Sequence, residues 1–409
     1  MSYEAPFRGL KVIDLSQGLA APYCAMLLAQ HGADVIKVEP VAGDWSRTLS
    51  TSYGDHSAFS ICANLGKRSI AVDLKHPDGK ALLWRLLQDA DVLIEGFRPN
   101  VMNRLGFGYE AVADRVPGIV YLSLSGFGAA GPLADRPAMD PVLQAFTGLT
   151  LENRGSDGIP QRVPISIVDM TTALYAFQAL SAALYARRDE VRGRHLSVSL
   201  LEGAAALQTV RLIAAALDGD DATTNVPPSG SFEAADGWMQ IQIIKETEWA
   251  ALCRTLECPE VAVDPRFSSR AARIANEPAL LATLRDHFRR FESIELARRF
   301  EAASLLYERL NTYTGFLTHE HVVATEAIGW LDQQGAPVPV PIPRLPGSAA
   351  LADSDPRAIA PVCGQHTSVV LREHGFDEER IKVLARSGAI GLRPGHGPTP
   401  ASPAAAAAT

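Results

Sequence analysis

One carboxylate stands in a mostly apolar run, Asp169 in VPISIVDMTTALYAFQALSAALYARR (163–188). From Leu174 onward large apolar residues recur at Leu174, Phe177, Leu180, Leu184 and Tyr185, which is helical spacing, so Asp169 falls at or near a helix start. Two roles suit a carboxylate there. As an N-cap it would satisfy exposed helix N–H groups. As a nucleophile it would be held ionised by the helix N-terminus and kept reactive by apolar surroundings that strip away water. The choice between them rests on the rest of the chain.

Other chemistry clusters where strands are expected to end. Lys37, Arg47, Lys67, Arg68, Lys75, Arg98 and Arg104 all lie at or near such ends in a chain of net charge -8. Any one of them is an ordinary solvated cation; together they suit a phosphate-binding site. GFGAAG (126–131) matches GxGxxG, but Pro132 and a polar stretch follow where a dinucleotide motif would open a helix, so it reads as a loop that could act as a lid. His319 and His321 alternate in THEHVV and lack metal-ligand helical spacing.

Short apolar runs at 10–15, 34–38, 69–73, 91–95, 118–124 and 195–201 are rich in β-branched residues, and helical patterns separate several of them. This is the signature of parallel βαβ units, with helices expected at 22–31 and from Pro77. In such a sheet ligands sit beyond the carboxyl ends of the strands, here the loops at 16–21, 39–47, 73–75, 96–104 and from 125. The chain turns polar between about 220 and 235, as a linker would. Beyond it a strand-like GWMQIQII (237–244) precedes helical patterns near 246–256, 278–290 and 293–303. A Pro-rich segment (337–347) leads to two short helices, and the low-complexity end is expected to be disordered.

At 409 residues the chain exceeds one ordinary core. Its 47% hydrophobic and 21% charged content suits a soluble globular protein. With no basic face, nucleic acid and anionic membranes are unsuited as main partners. Five cysteines without a CxxC pair argue against disulfides or a zinc knuckle, with Cys253 and Cys258 read as core residues. No basic and apolar leader opens the chain and no span-length uncharged run occurs, so the expected location is cytoplasmic.

The stretches KVIDLSQGLAAPYCAMLLAQHGADVIKVEPVAGDWSR, NLGKRSIAVDLKHPDGK, DVLIEGFRPNVMNRLGF, LSLSGFGAAGP, the Asp169 helix and GQHTSVVLREHGFDEERIKVL together resemble the class III coenzyme A transferases, the formyl-CoA transferase and carnitine CoA-transferase family. The resemblance spans nearly everything except the tail. It implies a Rossmann-like, doubly wound parallel sheet in a large α/β domain, a smaller α/β domain, and an interlocked homodimer. The expected division is 1–220 for the large domain, 221–335 for the small one, 336–392 for a C-terminal segment returning to the large domain, and 393–409 for a disordered tail. Residue by residue, Asp169 stands where the family has its catalytic aspartate, and Gln17 in the first loop joins it at the reaction centre. Ala20, Val72, Asp73, Leu74, Lys75, Gly96, Phe97, Arg98 and Arg104 fall on segments that hold the coenzyme A nucleotide and phosphates. Coenzyme A enters as a thioester substrate, with no tightly bound cofactor and no metal.

Two positions depart from family members: Gln17 replaces a His of some of them, and Met139, beside Asp140, replaces an aromatic of formyl-CoA transferase. The glycine-rich lid of that enzyme is replaced by SGSFEAADG (229–237), which speaks against formyl and oxalyl substrates. Members without the lid use succinyl-CoA with dicarboxylates such as malate, citramalate, itaconate, glutarate or a sulfinated analogue. Arg47 is the expected clamp on a distal carboxylate, with a phosphate contact or a structural ion pair as its alternatives. Met139 and Asp140 are expected to line the acyl site. N–H groups of 17–20 and of the Asp169 helix start are candidate oxyanion donors. Two other functions stay open. An α-methylacyl-CoA racemase-like enzyme would need a base where Met139 stands, and a non-catalytic CoA-binding protein would use Asp169 only as a cap.

Overall fold

The computed structural model describes residues 5–155, 157–190, 192–220 and 226–393. The tail expected at 393–409 lies outside these residues except for Arg393, whose guanidinium pairs with Asp55 at 2.7 Å. The chain forms two compact units. One runs to Gln208 and resumes at Thr325, and the other is Thr209–Ala324.

Each apolar run of the first unit becomes a strand: β1 (Lys11–Asp14), β2 (Asp34–Glu39), β3 (Arg68–Val72), β4 (Val92–Glu95), β5 (Val120–Ser125) and β6 (Arg194–Ser199). These six are mutually parallel in the order β3-β2-β1-β4-β5-β6, and a short strand β7 (Ile390–Gly391) adds antiparallel to β3. The architecture is a mixed α/β fold around a mostly parallel sheet. Its strands read as continuous apolar runs because both faces are covered. Val12, Val35, Val92 and Val120 join one core with the helices Ala20–Gln30 and Ile167–Ala186. Ile13, Ile36, Leu93 and Tyr121 join another with the helices Pro77–Leu87 and Glu378–Arg386. In this strand order consecutive connections diverge between β1 and β4, so the loops leaving their carboxyl ends open a crevice.

The helix carrying Asp169 spans Ile167–Ala186, and its buried stripe is Val168, Thr172, Ala173, Ala176, Leu180, Ala183 and Leu184. The broad face expected from Leu174 to Tyr185 therefore splits, since Leu174 is 54% and Tyr185 68% exposed. Small residues take the inner side because the neighbouring helix Leu200–Leu207 comes close: a Cβ on Gly203 would lie 2.0 Å from Thr172 Oγ1.

In the second unit, Ser229–Ala234, Gly237–Gln242 and Leu306–Arg309 form an antiparallel sheet. The helices Glu246–Thr255, Glu277–Phe288 and Ser293–Ala302 contribute to its core with Phe232, Phe288, Phe300 and the buried Cys253 and Cys258. The linker expected at about 220–235 lies in part, at 221–225, outside the described residues, and from Ser229 the chain is already the first strand of a hairpin that turns at 235–236. In the first unit the Pro-rich segment supplies an edge strand, Val340–Pro343, paired with Ile328–Leu331. The two short helices expected after it are Thr367–Glu373 and Glu378–Arg386.

Candidate functional site

Asp169 is the third residue of its helix, and Ser166 at the N-cap makes no side-chain cap bond. The capping role expected of Asp169 belongs to Asp140, the first residue of the helix Asp140–Phe146. One Asp140 oxygen accepts the N–H groups of Val168 at 2.7 Å and Asp169 at 3.0 Å, while the other accepts Gln144 Nε2 at 2.6 Å. Gln144 in turn takes the Val163 N–H on its carbonyl at 2.8 Å, which fixes the approach to the helix.

The carboxylate of Asp169 itself makes no hydrogen bond among the described residues, and it is half-buried. Burial first, and then the like charge of Asp140, push it up to about 7. The ionisation that a helix N-terminus would favour is therefore overridden here. The helix N–H groups point at Asp140, so their stabilisation goes to the neighbour. Asp140 is buried, and Met139 beside it is 52% exposed.

Gln17 and Ala20 lie in the loop and helix start that follow β1; Gln17 is half-buried and Ala20 buried. Among the candidate oxyanion donors, the N–H of Gly18 is already bound to Asp44 at 3.1 and 3.3 Å, and those of Val168 and Asp169 to Asp140. The N–H groups of Gln17 and Leu19 make no hydrogen bond among the described residues.

The cations separate into two sets. Lys75, Arg98 and Arg104 are exposed, with Lys75 just beyond β3, Arg98 just beyond β4 and Arg104 on the short helix Val101–Leu105. Around them Val72 is the buried last residue of β3, Asp73 accepts the Lys75 N–H at 2.8 Å, and Leu74 is half-buried. Gly96 is exposed, a Cβ there would meet Ser16 at 3.5 Å and Ala21 at 3.7 Å, and Phe97 donates its N–H to Glu95 at 2.8 Å.

The other set is paired with carboxylates of the protein itself. Lys37 pairs with Asp44 at 2.9 Å and Lys67 with Asp14 at 2.7 Å, all four side chains being fully buried. Arg68 opens β3 at its amino end and is bound by Asp34 and Glu373, each at 2.6 Å. The Arg47 guanidinium is likewise engaged inside the protein. Its Nε and Nη2 grip both Glu39 oxygens at 2.7 and 2.6 Å, and Nη2 also reaches Pro361 O at 3.1 Å. It is 4% exposed, which is the arrangement of the structural ion pair among its expected alternatives.

Sequence reasoning missed Asp14, Asp44 and Glu95 as anchors of the loops. For Asp14 and Glu95 the signal was present, since charged residues closing the apolar strands KVID and VLIE face a core that must pair them, whereas Asp44 lies in the loop after DVIKVE and gave none. After GFGAAG the next helix begins only at Asp140, in keeping with a loop. His319 Nδ1 accepts the N–H of His321 at 3.2 Å, and no cluster able to hold a metal occurs among the described residues.

The model of the CoA-transferase family III matches residues 7–367. The acetyl-CoA:oxalate CoA-transferase of Acetobacter aceti is 38% identical over 69% of this chain and 74% of its own length. The human succinyl-CoA:glutarate CoA-transferase is 28% identical over 95% and 91% of the two chains. Among solved structures, a CAIB/BAIF family protein from Brucella suis superposes with a TM-score of 0.79 at 28% identity, covering 91% of this chain and 100% of its own.

Proposed function

Because this chain belongs to the CoA-transferase family III, we propose that it moves coenzyme A from an acyl-CoA, with succinyl-CoA the favoured donor, to a dicarboxylic acid through an Asp169 thioester. The observation that carries this is the half-buried Asp169 carboxylate, without a hydrogen bond among the described residues and seated over a second carboxylate that holds its helix end. An Asp169 oxygen attacks the thioester carbonyl and the CoA thiolate leaves, giving a mixed anhydride. The thiolate returns to the aspartyl carbonyl and releases the donor acid, leaving an aspartyl-CoA thioester. The acceptor carboxylate repeats both exchanges and restores Asp169, so one thioester replaces another and no proton is gained or lost.

Gln17 lies at the reacting carbonyl in this reading, with Met139 and Asp140 on the acyl side. Ala20, Val72–Lys75, Gly96–Arg98 and Arg104 hold the nucleotide and its phosphates. The human relative carries succinyl-CoA and glutarate in its name, which supports a dicarboxylate acceptor. The relative from Acetobacter aceti carries oxalate, so the sequence argument against oxalyl substrates loses its support. A homodimer fits the exposed Leu174, Tyr175 and Tyr185 on the Asp169 helix and an apolar cavity of about 1280 Å³ between the Pro-rich segment and helix Ala58–Asn64. A second chain would cover both. A cytoplasmic enzyme fits the cysteine usage.

Borohydride should inactivate the enzyme only after succinyl-CoA is added, by reducing the aspartyl thioester, with the label on Asp169. Inactivation that does not depend on the thioester would remove this mechanism. A chiral 2-methylacyl-CoA in deuterated water should gain no α-deuterium, because Met139 cannot act as a base; uptake dependent on Asp169 would instead establish a racemase. Arg104→Ala should raise KM for the CoA thioester well above any change in KM for the free acid, and equal effects would place Arg104 outside the nucleotide site.

The reaction needs Asp169 ionised, so kcat/KM should rise with pH through an apparent pKa of about 7. Asp140→Asn removes the like charge yet keeps an oxygen for the helix N–H groups, and it should move that limb to lower pH. An unmoved limb would mean that Asp140 does not control the ionisation of Asp169.

A further inference from the structure

Buried charges hold the loop after β1 from beneath. Lys37 Nζ donates to the carbonyl of Ser16 at 2.8 Å and pairs with Asp44 at 2.9 Å. Asp44 accepts the Gly18 N–H at 3.1 and 3.3 Å and the Ser46 N–H at 2.8 Å. Asp14 accepts the N–H of Ser16 at 3.0 Å and also its hydroxyl. Lys67 ties Asp14 at 2.7 Å to the Pro22 carbonyl at 2.7 Å and to Asn64 Oδ1 at 3.1 Å. The backbone on both sides of Gln17 is thereby fixed.

Peptide planarity turns these bonds into directions. The carbonyl of Ser16 and the N–H of Gln17 belong to one planar group and point opposite ways. The bond from Lys37 to that carbonyl therefore turns the Gln17 N–H away from Lys37. A cation on the carbonyl also polarises the amide and strengthens its N–H as a donor. Gly18 completes the constraint: its φ is +86° and a Cβ there would lie 2.5 Å from the Trp45 ring, so only glycine fits. Burying these charges is unfavourable where apolar packing would hold a loop as firmly, so the network selects one loop conformation.

We infer that Lys37 and Asp44 are positioning residues for the transfer reaction, holding the Ser16–Gln17 peptide so that its N–H meets the oxygen of the carbonyl that Asp169 attacks. This rests on the aspartyl mechanism proposed above. The test compares Lys37→Met, Asp44→Asn and the double variant with the wild-type enzyme. The double variant removes both charges, while the amide oxygen that Asp44→Asn introduces can still accept the N–H groups of Gly18 and Ser46, so it remains informative where Lys37→Met fails to fold. Turnover is measured per active site, the sites being counted by borohydride-trapped aspartyl thioester. Lys37→Met and the double variant should lose roughly 10²-fold in turnover per trapped site, as for a lost oxyanion donor. KM for succinyl-CoA should stay within about threefold, and Asp44→Asn should fall between. A folded double variant with turnover per site within about threefold of wild type overturns the inference, as does a loss explained wholly by fewer trapped sites. Asp169→Asn run alongside separates the two readings. Trapping in that variant would sink the aspartyl mechanism, whereas its absence together with normal Lys37 variants would sink only the positioning role.

Discussion

Asp169→Asn should abolish transfer, by roughly 10⁴-fold or more as when other nucleophiles are removed, and should at the same time make the protein harder to unfold at about pH 8. The two effects share one cause. In the folded chain the Asp169 carboxyl sits at about 7, against 3.8 for the free group, because burial and then Asp140 disfavour its charge. A group raised in this way contributes stability that is fully present below the unfolded value and is lost as pH rises through the folded one. Above pH 7 the ionised Asp169 therefore works against folding, and a neutral Asn does not. The side chain retains some contact with solvent, so the gain is about 1 to 2 kcal/mol, less than the shift alone implies. Melting curves at about pH 8 and about pH 3.5 check this. The variant should melt a few degrees higher at the first, and the difference should close at the second. A variant that melts lower at pH 8 would mean that Asp169 is not strained, and the source of its reactivity would have to lie elsewhere.

Arg47→Ala should unfold far more easily while leaving the acceptor site of the surviving molecules untouched. The Arg47 guanidinium is the bidentate partner of Glu39, whose side chain is fully buried, and removing it strands a carboxylate in the core. Breaking such a pair typically costs about 3–5 kcal/mol. Burial alone would raise Glu39, but Arg47, Lys37 and Ser69 together hold it down at about 2, from 4.5. A lowered carboxyl contributes stability above its unfolded value that is lost as pH falls through the folded one, here between about 4.5 and about 2. The variant lacks most of that contribution, so its excess instability should be large at neutral pH and shrink in acid. Denaturant titrations at about pH 7 and about pH 3 measure it. Arg47→Lys should rescue little, because an ammonium cannot engage both oxygens and Pro361 in the same fork. If Arg47→Ala instead kept its stability and raised only KM for the acceptor acid, Arg47 would be a substrate clamp after all.

Periodicity and residue type were enough for the six parallel strands and the helices between them, and they singled out Asp169 as either a cap or a nucleophile; its catalytic role came from the family resemblance. Strands buried on both faces are apolar throughout, whereas a carboxylate at the head of an apolar helix, as in 163–188, has a cap as its ordinary explanation beside the catalytic one. The same logic put Lys75, Arg98 and Arg104 in the loops beyond the strand ends, where the structure has them exposed. Tertiary structure alone decided which cations could face a ligand. A lysine in DVIKVE looks the same in sequence whether it meets a phosphate or the carboxylate of Asp44, and only the packing of β2 against the loop after β1 brings Asp44 within reach of Lys37. Tertiary structure also gave the cap of the Asp169 helix to Asp140, 29 positions away. That assignment leaves the Asp169 carboxylate without the helix N–H groups that would have kept it acidic. Sequence distance carries no information about such a pairing, because the electrostatic energy of two carboxylates depends on their separation in space and on the water excluded from between them.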